Sequence, residues 1–211
     1  MPMEDGTLAV DVLVFVRASL PEPPARVLEV GAGDGQLAAA LRDLGHDVTA
    51  IDPKGEAAGV QPVALLDLEA PAGSYDAAVA IVSLHHVEPL AESVEHLARL
   101  VRPGGTLVID EIDIDRLDER AARWQILQRE AAGHERKHEP AEVVEEMRHH
   151  LASLSTIQRE LEPYFELGLP VRGSYLYRWH LPPGLRRVEE RLIALGELPA
   201  IGARLVGTRR A

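Results

Sequence analysis

Arg26-Val27-Leu28-Glu29-Val30-Gly31-Ala32-Gly33-Asp34-Gly35-Gln36-Leu37-Ala38 is the stretch on which the reading of this chain turns. Val27, Leu28 and Val30 form a short apolar run of buried-strand type that breaks at Gly31. A helical run follows over 36–44 and stops at Gly45. Between strand and helix the glycines alternate, opening backbone angles closed to other residues and letting a ligand approach the main chain. The start of the helix adds unpaired N–H groups and a partial positive charge. Such a turn suits a nucleotide-like cofactor. A dinucleotide fingerprint needs another small residue at position 36; Gln36 stands there, which disfavours a nicotinamide dinucleotide.

Downstream, a second strand over 48–51 closes on Asp52 and Pro53. Asp52 lies 21 residues beyond Gly31, where an acid can accept hydrogen bonds from ribose hydroxyls. A third strand is expected over 62–68, then a turn at Pro71, Gly73 and Ser74. Tyr75-Asp76 opens a fourth strand over 77–84, which leads into Ser83-Leu84-His85-His86-Val87. A helix over 89–100 starts at Pro89, Arg102-Pro103-Gly104-Gly105 makes a tight turn, and 106–109 is a fifth buried strand. Strands alternating with helices in this way build a parallel sheet wound on both faces.

The Glu-x-Gly-x-Gly-x-Gly pattern of Glu29 to Gly35 resembles motif I of the class I S-adenosylmethionine-dependent methyltransferases. Leu97-Ala98-Arg99-Leu100-Val101-Arg102-Pro103-Gly104-Gly105-Thr106-Leu107-Val108-Ile109 resembles that family's helix, turn and strand, and the resemblance extends over 26–111. It implies an α/β fold with a doubly wound, mostly parallel seven-stranded sheet, Rossmann-like, carrying a helical insertion before the last strands. It implies S-adenosyl-L-methionine as cofactor, held by Glu29, Gly31, Ala32, Gly33, Gly35, Asp52, Pro53, Asp67, Leu68 and Ser83. In that family Asp67 would meet the adenine amino group with Leu68 beside the ring, and Asp76 would be structural. The expected organisation is one methyltransferase domain over 1–211: an N-terminal helical part (1–24), a cofactor-binding core (25–113), a helical acceptor-side segment (114–164) and closing strands with a helix (165–211).

Outside the resemblance, Leu8, Val12, Phe15 and Val16 mark a helix over 7–19 that packs on the sheet or covers the cofactor. Residues 114–164 read as charged and helical, with a break at Gly133 and a helix opening at Pro140. Extended segments over 165–171 and 174–181, a helix over 185–195 ended by Gly196, and a strand over 203–207 complete the chain, the closing antiparallel pair coming from these last extended pieces.

Methyl transfer to an O–H group requires a proton acceptor, and imidazole has a suitable pKa. His85 and His86 fall beyond the carboxyl end of the fourth strand, where ligands bind in open α/β sheets. Either is a candidate base, and the sequence does not separate them. His134-Glu135-Arg136-Lys137-His138 matches H-E-x-x-H in letters, but charge fills it and Gly133 and Pro140 flank it, so a zinc site is not expected. His138 is instead a candidate lining residue for the acceptor pocket. Asp110, Glu111, Asp113 and Asp115 read as solvated or helix-capping, and with Ser83, Leu84 and His85 where metal-dependent relatives carry an acid, no metal is expected. Tyr175, Tyr177 and Trp179 alternate as on one face of a strand, in core packing or as an aromatic wall.

The net charge of −12, from 34 acids against 22 lysines and arginines, argues against a nucleic-acid partner. From Val171 onward eight arginines face three glutamates, read as a solvated surface or as a site for an anionic small molecule. The chain has no cysteine, and its N-terminal apolar stretch is too short to span a bilayer and lacks a preceding positive charge, so no membrane partner and a cytoplasmic location are expected. The expected function is methyl transfer to a small-molecule acceptor, foremost a hydroxyl oxygen. N-methylation, or non-catalytic binding of S-adenosylmethionine or S-adenosylhomocysteine, is the alternative.

Overall fold

Strand β1 (Arg26–Val30) sends alternate side chains to opposite faces, Leu28 and Val30 into one buried cluster and Val27 into another. The computed structural model to which it belongs describes residues 10–211 apart from His180 and Pro183, and Val10 only by its backbone. Leu8 and the expected start of the N-terminal helix lie outside the described residues; helix α1 is Val10–Ser19. The chain continues through α2 (Gln36–Asp43), β2 (Asp47–Ile51), β3 (Val60–Gln61), β4 (Tyr75–Ile81), α3 (Leu90–Leu100) and β5 (Val101–Ile112). Then come α4 (Glu119–Ala131), α5 (Pro140–His150), α6 (Leu154–Leu161), β6 (Phe165–Leu167), β7 (Val171–Gly173), α7 (Leu185–Ala194) and β8 (Gly202–Arg209).

The strands form one eight-stranded sheet in the order β3-β2-β1-β4-β5-β8-β6, with β7 also paired to β8. Pairings from β3 to β5 are parallel; β5, β6 and β7 each meet β8 antiparallel. Val12 and Val16 of α1 and Leu37, Ala38 and Leu41 of α2 cover one face. Val94 and Leu97 of α3 and Ile157 and Leu161 of α6 cover the other. A third buried cluster, including Ile112, Leu117, Val144 and Tyr175, gathers α4, α5 and the segment after β7 beyond the end of β5. Among the described residues no helix is long and apolar enough to cross a membrane.

The sheet has eight strands against the seven expected, and the extended run after α6 is split in two around Gly168, whose N–H bonds the Val206 carbonyl. The third strand is only Val60–Gln61, and it lies just before the expected 62–68, none of which is strand. Pro62 has no N–H to extend the ladder, and Leu65–Asp67 forms a 3-10 turn that buries Leu65 and Leu68, spaced three apart as that turn requires. The fourth strand stops at Ile81 because Val82 turns left-handed, with φ +54°, and Leu84–His86 then forms another 3-10 turn. The fifth strand starts early: β5 absorbs the Pro-Gly-Gly turn as an irregularity, its register with β4 shifting between Tyr75 and Ala77. Asp76 secures this place by accepting from Arg26 and Arg102, a structural role that holds its carboxyl well below the usual range. The segment over 174–181 is no strand; it contains a 3-10 turn, Leu176–Arg178, for a reason that lies in α7.

Candidate active site

The parallel strands all present their carboxyl ends to the same edge, and the glycine loop lies there between β1 and α2. Gly31, Gly33 and Gly35 adopt φ of +73°, +51° and +74°, the left-handed region that glycine enters freely. Gly31 and Ala32 both donate to the Ile51 carbonyl at 2.9 Å, tying the loop to the end of β2. A Cβ at Gly31 would stand 2.4 Å from the Ser83 Cβ, so the glycine loop and the end of β4 are in direct contact. A Cβ at Gly33 would meet nothing within 4 Å, so this part of the loop faces open space.

Asp52 sits where the spacing placed it. Its Oδ2 accepts the Gly33 N–H at 3.1 Å and its Oδ1 the Lys54 N–H at 2.8 Å, while Pro53 occupies the exposed turn beside it. Glu29 is buried inside β1 with Oε2 unpartnered among the described residues; burial pushes its carboxyl up to about 8 against the field of Arg42. Ser83 is also buried, and its Oγ has no partner among the described residues. Asp67 and Leu68 lie against the later half of α3, the Leu68 carbonyl meeting His96 Nε2 at 2.9 Å. With His96 and Arg99 they line an open groove of about 780 Å³. These donors and acceptors suit a nucleoside with a polar tail: free space at a glycine, a carboxylate at the loop and an orphaned hydroxyl. The residues present fit S-adenosylmethionine.

The structure separates the two histidines. His85 is buried, and its Nδ1 lies 2.6 Å from Glu111 Oε2. Glu111 is fully buried; its Oε1 accepts the N–H groups of Ser83 (2.9 Å) and Leu84 (2.7 Å), and its Oε2 also takes the N–H of Ile112. His86 points outward with its ring 4.2 Å from that of His85. Partial burial of the ring, then repulsion from His85, lowers its pKa to about 4. The main-chain carbonyl of His85 accepts from Ala152, so the link between α5 and α6 packs on this turn.

The acidic cluster corrects the sequence reading, for Asp110, Glu111 and Asp113 are buried rather than solvated. Each has a partner far along the chain. Arg178 grips Asp110 through both nitrogens at 3.0 and 3.1 Å, and Arg204 reaches Asp110 at 2.8 Å and Asp11 of α1 at 2.6 Å. Arg172 pairs with Asp113, and the exposed Asp115 accepts from Ser155. Burial works against the Asp11 charge, yet Arg204, Arg178 and Arg186 hold its pKa below the ordinary value. Arg172, Arg178 and Arg204 thus act as counter-ions to acids inside the fold. Tyr175, Tyr177 and Trp179 do not share a strand face. Tyr175 is buried and meets Trp179 edge-on, whereas the Tyr177 hydroxyl donates to Asp11. His134 to His138 lie exposed in the turn between α4 and α5, away from any pocket wall described above.

Comparison with known proteins agrees with this geometry. The family described as Methyltransferase domain matches residues 8–163. The ubiquinone biosynthesis O-methyltransferase of Xanthomonas campestris pv. campestris (strain B100) is 38% identical over 118 residues, 48% of this chain and 48% of its own length. The chain therefore spans about half the length of the curated relatives it matches. Among solved structures, an S-adenosylmethionine dependent methyltransferase from Mesorhizobium loti is similar with a TM-score of 0.63 at 18% identity, covering 97% of this chain and 99% of that one. The N-methyltransferase NodS from Bradyrhizobium japonicum WM9, in complex with S-adenosyl-L-homocysteine, gives 0.59 at 14% identity, covering 99% and 90%. A family match over more than half the chain, on a fold shared nearly end to end with methyltransferases, makes this chain a member of the class I S-adenosylmethionine-dependent methyltransferase family.

Proposed function

We propose that the protein transfers the S-adenosylmethionine methyl group to a hydroxyl oxygen of a small-molecule acceptor, with His85 removing the acceptor proton. The observation that carries this reading is the buried contact of 2.6 Å between His85 Nδ1 and Glu111 Oε2. Three backbone N–H groups already donate to the Glu111 oxygens, so the carboxyl acts as an acceptor. Nδ1 then carries the hydrogen it donates, and Nε2 keeps a lone pair for the incoming proton. A carboxylate behind an imidazole fixes the tautomer and steadies the imidazolium that forms, as in other acid–base pairs.

S-adenosylmethionine, when bound, supplies a methyl group already activated on a sulfonium, so the protein has mainly to align and to handle a proton. In this reading Asp52 exchanges its bond to Gly33 for ribose hydroxyls, the loop N–H groups and the start of α2 hold the polar tail, and Asp67 and Leu68 flank the base. Ser83 supplies its orphaned hydroxyl on the side of the loop nearest His85. A proton must leave an oxygen acceptor or an ammonium one alike; oxygen is preferred because the curated relative named above is an O-methyltransferase.

The test is to supply S-adenosylmethionine with a panel of phenols and sugar alcohols and to measure S-adenosylhomocysteine released. Release with a hydroxyl acceptor, lost in His85→Ala, is the expected result. Calorimetric binding of S-adenosylhomocysteine with no turnover on any acceptor would instead make the protein a non-catalytic binder.

A further inference from the structure

Val82 is the non-glycine residue with a left-handed backbone among the described residues, at φ +54°. A β-branched side chain makes that conformation especially unfavourable, and such strain persists only where surrounding structure imposes it. The consequence is visible in the next N–H groups. Val82 donates to the Asp110 carbonyl at 2.7 Å, while Ser83 and Leu84 donate to Glu111 Oε1 at 2.9 and 2.7 Å. Successive N–H groups converging after a left-handed residue make a small anion-binding concavity. Here the anion is the protein's own Glu111, whose other oxygen meets His85. The half-buried Val82 side chain packs on the acceptor-side cluster that also takes Trp124, Met147 and Trp179.

We infer that Val82 is a positioning residue: the acceptor-side cluster clamps its side chain, and its left-handed backbone aims the N–H groups that hold Glu111 against His85. The catalytic meaning of this inference rests on the proposed role of His85; the positioning itself does not. Strain is retained because an unstrained residue here would let the turn wander. Glycine takes the same angle freely but has no side chain for the cluster to grip, and alanine keeps the strain with little to hold it.

The test compares Val82→Gly and Val82→Ala with the parent, without any acceptor. Two readouts are used: the thermal midpoint, and the exchange rate of the His85 Nδ1 proton followed by NMR and assigned by its loss in His85→Gln. The glycine variant should melt at or above the alanine variant, yet exchange this proton at least about tenfold faster than the parent. Relief of strain then comes with faster exchange at His85, a coupling that a valine serving packing alone would not produce. A glycine variant that melts below the alanine variant overturns the inference, as do parent-like exchange rates in both. If exchange quickens as expected while His85→Ala still releases S-adenosylhomocysteine, the positioning stands and the base assignment falls. If His85→Ala abolishes release while proton exchange stays parent-like in both Val82 variants, the base assignment stands and this inference falls.

Discussion

Glu29 shows how far a single carboxyl can be moved by its surroundings. Its ordinary value of 4.5 is raised to about 8 in the fold, chiefly by burial. The folded state therefore favours the protonated form, a contribution fully present below about pH 4.5 and lost as pH rises through 8. The unfolding free energy of the cofactor-free protein from urea titration should fall between pH 5 and 8, by up to about 1.4 kcal/mol for each unit. Glu29→Gln should flatten that slope and be the more stable protein at pH 8; parallel curves for the two would show that Glu29 is not held protonated. The histidines give a second contrast. With its pKa lowered to about 4, His86 is neutral near pH 7, and His86→Ala should keep most of the turnover. His85→Ala should lose about 10²- to 10⁴-fold in rate, and Glu111→Gln should follow it. Since arginines, His85 and backbone N–H groups already engage Asp110, Asp113 and Glu111, EDTA should leave turnover unchanged. Inhibition by EDTA reversed by magnesium would count against that. The glycines were legible in the sequence because left-handed turns need them. Glu111 was not, because acids in a row look hydrophilic until their partners, Arg178 and Arg204 among them, are brought in from distant segments.

At the scale of elements, local pattern succeeded where an element carries its own signals. Strand β1, α2 with its glycine loop, and α3 before its Pro-Gly-Gly turn all fall within a residue or so of expectation. The segment over 174–181 failed because its conformation is set from outside. Buried Glu189 of α7 accepts the N–H groups of Tyr175, Leu176 and Tyr177 at 2.7 to 2.9 Å, bending alternating aromatics into a 3-10 turn. Glu111 does the same for the turn at His85, so two buried glutamates each organise one short turn. Glu189→Ala should leave those groups unpaired and cost roughly 1–3 kcal/mol in denaturant unfolding, with a changed near-ultraviolet signal from the Tyr175–Trp179 contact. An unchanged midpoint and spectrum would mean that the turn holds itself.

At the scale of the whole molecule, the α/β class and the parallel core were legible because strands and helices alternate with punctuation between them, whereas the closing antiparallel strands are short and owe their places to β8. Strand β8 is the last strand in the sequence yet lies inside the sheet, between β5 and β6. That order matters while the protein is being made. Until residues 202–209 clear the ribosome, the antiparallel edge of β5 stays open, β6 and β7 have no sheet partner, and Asp110 lacks Arg204. Translation at about 5–20 residues per second leaves that edge bare for on the order of seconds after β6 is complete. An open apolar edge over such a time is a template for wrong pairing. A chain stalled short of residue 202 is a sticky half-sheet, not a smaller version of the fold.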